Sequence, residues 1–184
     1  MAAGTLVLAA LSACASPPAA GSKDKAVTSE MEQKQKSDPT AVPPDDLKSL
    51  GQPAEHWKPD LSPAAFQVLF EHGTERAFTS PLNDEHREGT FVCAACNLPV
   101  FTSDKKFDSG TGWPSFFAPI EGHLAFSSDN DLVYERTEYH CVRCGGHMGH
   151  VFDDGPRPTG QRWCNNGVSL KFIPKGESLP ALRS

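Results

Sequence analysis

Two kinds of cysteine stand in the last third of the chain. In the run His140-Cys-Val-Arg-Cys-Gly-Gly-His-Met-Gly-His150, Cys141 and Cys144 have the two-residue spacing of a metal knuckle. Cys164 has no partner at ligand spacing and stands two residues after Arg162 and two before Asn166. Side chains alternate faces along a strand, so Arg162, Cys164 and Asn166 would share one face. A guanidinium beside a thiol favours the thiolate, the nucleophilic form, and Asn166 offers a neutral donor for a water or a polar substrate group. Val168, Leu170 and Phe172 continue the same parity, which predicts a strand running from a solvent-facing site into the core, with Gly167 as the place for a bulge. The competing reading of this segment is a buried cysteine with a solvated arginine nearby.

Two further features could complete a site around Cys164. His147 and His150 follow the second knuckle directly, which would fix them, and histidine can donate a proton near neutral pH. Only the short hairpin from Asp153 to Gly160, rich in Pro and Gly, separates them from the strand of Cys164. In Gly110-Thr-Gly-Trp-Pro-Ser-Phe-Phe117 the glycines allow tight turns and Pro114 restricts Trp113 to extended geometry. A fixed indole can wall an apolar pocket for a methyl group or thioether; an ordinary core tryptophan is the alternative. The remaining histidines, His56, His72, His86, His123 and His140, carry no such pattern.

A second knuckle, Cys93-Ala-Ala-Cys96, pairs with the first. Four thiolates from two such pairs make a closed tetrahedral zinc site, structural and without an open position for substrate. Here Cys93, Cys96, Cys141 and Cys144 would clamp two distant β segments of one sheet system. Two disulfides are the main competitor, since an exported location is oxidising. A mixed site using His147 or His150 and a thioredoxin-like redox pair fit less well, the latter because it wants a single pair opening a helix.

The elements that must position these groups are short. Leu61 to Phe70 predicts a helix, with Ser62 as N-cap, Pro63 at the first position, Phe66, Leu69 and Phe70 on one face, and Gly73 as the stop. Thr74 to Gly89 is polar and turn-rich, a loop that wraps the domain. Strands enter both knuckles, over Gly89 to Cys93 and Asp131 to Tyr139, and one leaves the first over Pro99 to Phe101, so the class is mainly antiparallel β.

The chain has 184 residues, room for one domain plus appendages, and a net charge of −6 that disfavours nucleic acid as a partner. Gly4 to Ala13 is apolar, too short to span a bilayer, and ends in small residues like the core of an export signal, although no Lys or Arg precedes it. Leu11-Ser-Ala-Cys14 resembles the bacterial lipobox, which would make Cys14 a lipid attachment site. Residues 15–55 read as a flexible tether without sustained periodicity, and 56–184 as the folded domain. The expected location is therefore outside the cytoplasm, anchored by lipid to a bacterial membrane and facing the periplasm or cell exterior.

The ordered set Gly110-Thr-Gly-Trp-Pro-Ser-Phe116, Cys141-x-x-Cys144, His147-Met-Gly-His-Val-Phe152, Asp154-Gly-Pro156 and Arg162-Trp-Cys-Asn-Asn-Gly-Val-Ser-Leu-Lys-Phe172 resembles the peptide methionine-(R)-sulfoxide reductase family. The resemblance covers about Leu61 to Pro174 and implies two antiparallel β-sheets with short peripheral helices, a structural zinc on four cysteines, and a catalytic cysteine. By position it implies Cys164 as the nucleophile, with His147, His150, Asp154, Arg162 and Asn166 around it and Trp113 holding substrate. The implied reaction repairs oxidative damage by returning methionine (R)-sulfoxide in proteins or peptides to methionine through a sulfenic acid on the cysteine. Two departures are visible: Thr111 stands where many members carry a resolving cysteine, and Trp163 and Asn165 replace a common Tyr and an aliphatic residue. With four cysteines assigned to zinc and Cys14 to lipid, an external thiol, such as that of a thioredoxin-like protein, would have to restore Cys164. The competing class is a non-catalytic zinc module that binds a protein partner, with Cys164 as a core residue.

Overall fold

A computed structural model describes residues 40–129 and 136–184. Two antiparallel sheets carry the fold. In the first, β1 (Gly89–Cys93) lies between β2 (Pro99–Thr102) and β9 (Leu170–Pro174). The second has six strands in the order β3 (Lys106–Phe107), β4 (Ser115–Phe116), β8 (Arg162–Asn165), β7 (His147–Phe152), β6 (Arg136–Cys141) and β5 (Leu124–Asp129). This is the mainly β, two-sheet class that the sequence led us to expect, with the helices short and peripheral.

Apolar residues on β1, β2, β4, β6 and β8 make the core, in consecutive runs on β1 and β2 where both faces are covered. Phe101 stacks on Phe116 at a centroid separation of 4.2 Å, and Phe91 meets Phe116 edge-on at 4.9 Å. Tyr139 and Trp163 extend this aromatic layer across the larger sheet, 5.0 Å apart. Trp163 therefore acts in packing, yet neither its indole N–H nor the fully buried amide of Asn165 meets a hydrogen-bond partner among the described residues. An aliphatic side chain would not have that cost.

Helix α1 spans Ala54–Trp57 and helix α2 spans Pro63–Phe70, the latter as its cap predicts: the Ser62 hydroxyl accepts the Ala65 N–H at 3.1 Å, and Phe66 and Leu69 are buried. The chain leaves α2 through His72, which takes the left-handed conformation at φ 55° in place of the expected glycine. Gly73 still matters, because a Cβ there would sit 2.9 Å from the Gln67 side chain.

Three expectations need correction. The strand foreseen from Arg162 to Phe172 is two strands in different sheets: β8 ends at Asn165, a 3-10 turn spans Gly167–Ser169, and β9 begins at Leu170. The break at Gly167 is sharper than a bulge, and the site has room only for glycine, since a Cβ would meet the Ser80 hydroxyl at 1.8 Å. The knuckles belong to both sheets, not to one. Contacts with the domain also begin before residue 56: Val42, Leu47 and Leu50 pack on the core, and the Leu50 N–H donates to the Arg143 carbonyl at 2.9 Å. The strand expected over Asp131 to Tyr139 is seen from Arg136 onward, its earlier part lying outside the described residues, as do the apolar N-terminal stretch and Cys14.

Candidate active site and metal centre

The two knuckles are built alike. Cys93-Ala-Ala-Cys96 joins β1 to β2, and Cys141-Val-Arg-Cys144 joins β6 to β7. In each, the residue after the second cysteine is left-handed, Asn97 at φ 62° and Gly145 at φ 72°. Its N–H returns to the carbonyl of the first cysteine, at 3.0 Å in one knuckle and 2.9 Å in the other. That turn points both thiols of a pair to one side. The pairs then face each other across the sheets, with Cys93 Sγ 3.6 Å from Cys144 Sγ and Cys96 Sγ 3.4 Å from Cys141 Sγ.

All four sulfurs lie within 4.8 Å of one another and none is joined in a disulfide. Thiolates about 2.3 Å from a tetrahedral zinc are separated by about 3.8 Å, so the donor set fits a closed ion site. The protein alone favours it poorly: contact with Cys141 first, and burial after it, pushes the Cys93 and Cys144 thiols above their ordinary range. A divalent cation removes that conflict.

Cys164 lies on β8 directly between Ser115 of β4 and His150 of β7. Residues three apart on a strand normally point to opposite faces. His147 and His150 nevertheless share one, because a bulge in the β6–β7 pairing sets His140 opposite His147 but Tyr139 opposite Gly149, leaving buried Met148 as the extra residue. The imidazole centroids are 5.3 Å apart. Gly149 lets β7 close on β8, since a Cβ there would strike the Cys164 carbonyl oxygen at 1.8 Å.

Each imidazole has its own carboxylate. His150 Nε2 is 2.6 Å from Asp129, a carboxylate also bound by Arg136 at 2.6 Å. His147 Nδ1 bonds to Glu138, and its other nitrogen faces the Asn166 amide at 3.4 Å. Burial pushes the His147 imidazole below its ordinary value despite the opposing pull of Glu138, so the neutral form dominates there at pH 7.

A cavity of about 210 Å³ holds Cys164, His150, Asn166, Trp113 and Phe152 on its walls. Arg162 is turned to the Asp154 carboxylate through two hydrogen bonds, of 2.8 and 2.9 Å, and stacks 4.3 Å from the centre of Phe152. Neither Arg162 nor exposed Asp154 is a wall of the cavity; Arg162 acts on Cys164 from beside it and Asp154 acts through Arg162, while His147 lines a neighbouring cavity that shares His150. Burial is the largest influence on the Cys164 thiol and pushes it up; Arg162 and a hydrogen bond from the Thr111 hydroxyl pull the other way without prevailing. The thiolate expected from Arg162 alone is therefore not the resting form.

Glu75 was missed by sequence reasoning. Its backbone N–H donates to Asn166 Oδ1 at 2.9 Å, its carbonyl accepts the Trp113 indole N–H at 2.9 Å, and its carboxylate accepts the Gly167 N–H at 2.5 Å. One residue of the polar loop thus fixes two cavity walls, and nothing in that loop's sequence marks it. Glu138 was legible in principle, since Arg136, Glu138 and His140 alternate on β6.

An accessible thiol under a guanidinium and a hydroxyl, beside an imidazole and an indole, is equipment for thiol redox chemistry, and it places the chain among the oxidoreductases. The SelR domain matches residues 61–174, and the chain belongs to that family, the peptide methionine-(R)-sulfoxide reductases. It is 51% identical over 119 residues, 64% of this chain and 91% of the relative, to the peptide methionine sulfoxide reductase MsrB of Leptospira interrogans. Proteins of the same name from Agrobacterium fabrum and Pseudomonas putida strain W619 are 50% and 47% identical; the match covers 64% and 70% of this chain and 88% and 98% of theirs.

Proposed function

We propose that this methionine sulfoxide reductase acts on methionine (R)-sulfoxide in proteins and peptides, with Cys164 as nucleophile, and so repairs oxidative damage. The observation that carries the reading is the cavity in which Cys164, His150, Asn166, Trp113 and Phe152 meet. Trp113 and Phe152 offer the sulfoxide methyl group an apolar wall, and His150 and Asn166 offer its oxygen polar groups, so a chiral sulfur can be held in one sense. Cys164 sulfur attacks the sulfoxide sulfur and takes its oxygen, releasing methionine and leaving a sulfenic acid on the enzyme. The sulfoxide oxygen needs a proton as it is transferred. His150, opposite Cys164 on the neighbouring strand and a wall of its cavity, is the donor, while neutral His147 orients Asn166. Arg162, held by Asp154, and Thr111 support the negative charge on sulfur.

A zinc ion held by Cys93, Cys96, Cys141 and Cys144 would tie the two sheets together and take no part in the reaction. Thr111 leaves no cysteine at the sulfenic acid, so an external thiol forms a mixed disulfide with loss of water, and a second thiol releases Cys164. One addition of substrate without reductant should leave sulfenic acid on Cys164, read by a sulfenic-acid trap and peptide mass spectrometry. An internal disulfide to a zinc-site cysteine as the main product would overturn this.

Export and anchoring through Cys14 belong to the same proposal, supported by the Leu11-Ser-Ala-Cys14 sequence. Labelled fatty acid should enter the wild type and not Cys14→Ala; an unlabelled wild type would end the anchoring reading.

A further inference from the structure

A second cluster, separate from the thiol centre, shares His147 with the reacting site and adds His140, which the reaction does not use. Glu138 and His140 are two apart on β6 and so share a face, and the β6–β7 bulge sets His147 directly opposite His140. One ligand atom from each of the three lies within 4.8 Å of the others. Glu138 Oε1 contacts His147 Nδ1 and is 3.6 Å from His140 Nδ1. A cavity of about 170 Å³ opens onto the three, walled also by Leu69, Phe70 and His72. From these observations we propose that Glu138, His140 and His147 form a second, open site for a divalent transition-metal ion, and that its occupation inhibits the enzyme.

The hydrogen bonds around His140 carry the inference. The Ser127 hydroxyl lies 2.7 Å from His140 Nε2 and 3.2 Å from Glu138 Oε2, so Nε2 is engaged there and Nδ1 is the nitrogen turned to the Glu138 carboxylate, 3.6 Å away. A cation seated between that nitrogen and the carboxylate oxygen would bind both. The Ser127 contact is the outer support that orients a metal-bound imidazole. Two nitrogens and one carboxylate oxygen select zinc, nickel, cobalt or copper over magnesium or calcium, and three ligands leave positions for water.

Inhibition follows from the tautomer of His147. Its Nδ1 proton now points to Glu138 and its Nε2 accepts from the Asn166 amide. Asn166 cannot turn over to suit a change, because its oxygen accepts the Glu75 N–H and its amide also donates to the Met148 carbonyl. A metal on Nδ1 displaces that proton, and neutral His147 then carries one on Nε2, facing the Asn166 N–H. The metal therefore disturbs a wall of the cavity without touching Cys164.

The test uses the full-length, zinc-loaded protein freed of thiol reductant, with nickel chloride as probe. Calorimetry should show one Ni²⁺ bound per chain, at least tenfold more weakly in His140→Gln and unchanged in Cys164→Ser. Nickel should slow the single turnover in which reduced enzyme releases methionine from one equivalent of sulfoxide, and His140→Gln should need at least tenfold more Ni²⁺ for the same slowing while matching the metal-free wild type. If His140→Gln folds poorly, His140→Arg, which keeps a long polar side chain but offers no ligand at neutral pH, replaces it. Equal nickel affinity in wild type and His140 variant, or loss of binding in Cys164→Ser, overturns the site. The turnover arm rests on the proposed reaction and the binding arm does not, so binding without any sulfoxide turnover would fault the reaction and leave the site standing.

Discussion

At the scale of the residue, Cys164 is governed by a contest between burial, which raises its thiol, and the Arg162 and Thr111 contacts, which lower it. Burial prevails, and the sign of the pH dependence follows. A raised thiol is mostly protonated near neutrality, so the thiolate fraction and the reactivity grow as pH rises through the raised value. Alkylation of Cys164 by iodoacetamide, followed by peptide mass spectrometry, should show its midpoint above the ordinary thiol value of about 8.5. Thr111→Val, which removes a donor to the sulfur, should move it further up; a midpoint below the ordinary value would mean that Arg162 outweighs burial. The chemistry-bearing types were legible at this scale because Cys164, Arg162 and Asn166 sit together in sequence. Glu75 was not, because it acts through its backbone as much as its carboxylate, and those contacts depend on where the loop lies.

At the scale of the element, spacing revealed the knuckles and their pairing but not that they belong to two different sheets. Each Cys-x-x-Cys turn is local and readable, whereas its place in one sheet or two is set by strand order, which no short-range pattern encodes. The same limit hid the bulge that brings His147 and His150 to one face, and the break at Gly167, where the Ser80 side chain, far away in sequence, leaves no room for a Cβ. The clamp between sheets gives the zinc proposal its consequence. Cys93→Ser leaves three thiols and an open corner where two sheets meet, and structural zinc sites contribute on the order of 10 kcal/mol or more to folding. Metal analysis and thermal unfolding should show zinc lost and the cooperative transition abolished or greatly lowered. A native preparation free of metal yet fully folded would contradict the structural role.

At the scale of the whole molecule, one acidic chain carries a two-sheet domain whose cavity is lined by a thiol, an imidazole and an indole. The domain's class was legible from its short alternating strands, and its front edge was not, because Val42, Leu47 and Leu50 are scattered apolar residues in a segment of tether-like composition. The central claim is that this cavity converts one sulfoxide epimer through Cys164, and separated epimers test it most directly. With a small dithiol as reductant, the full-length protein should return the (R)-epimer of a methionine sulfoxide peptide to methionine and leave the (S)-epimer untouched. Cys164→Ser, folded and zinc-loaded, should do neither, because a hydroxyl is a far poorer nucleophile at neutral pH. Equal turnover of both epimers, or normal activity in Cys164→Ser, would contradict the claim.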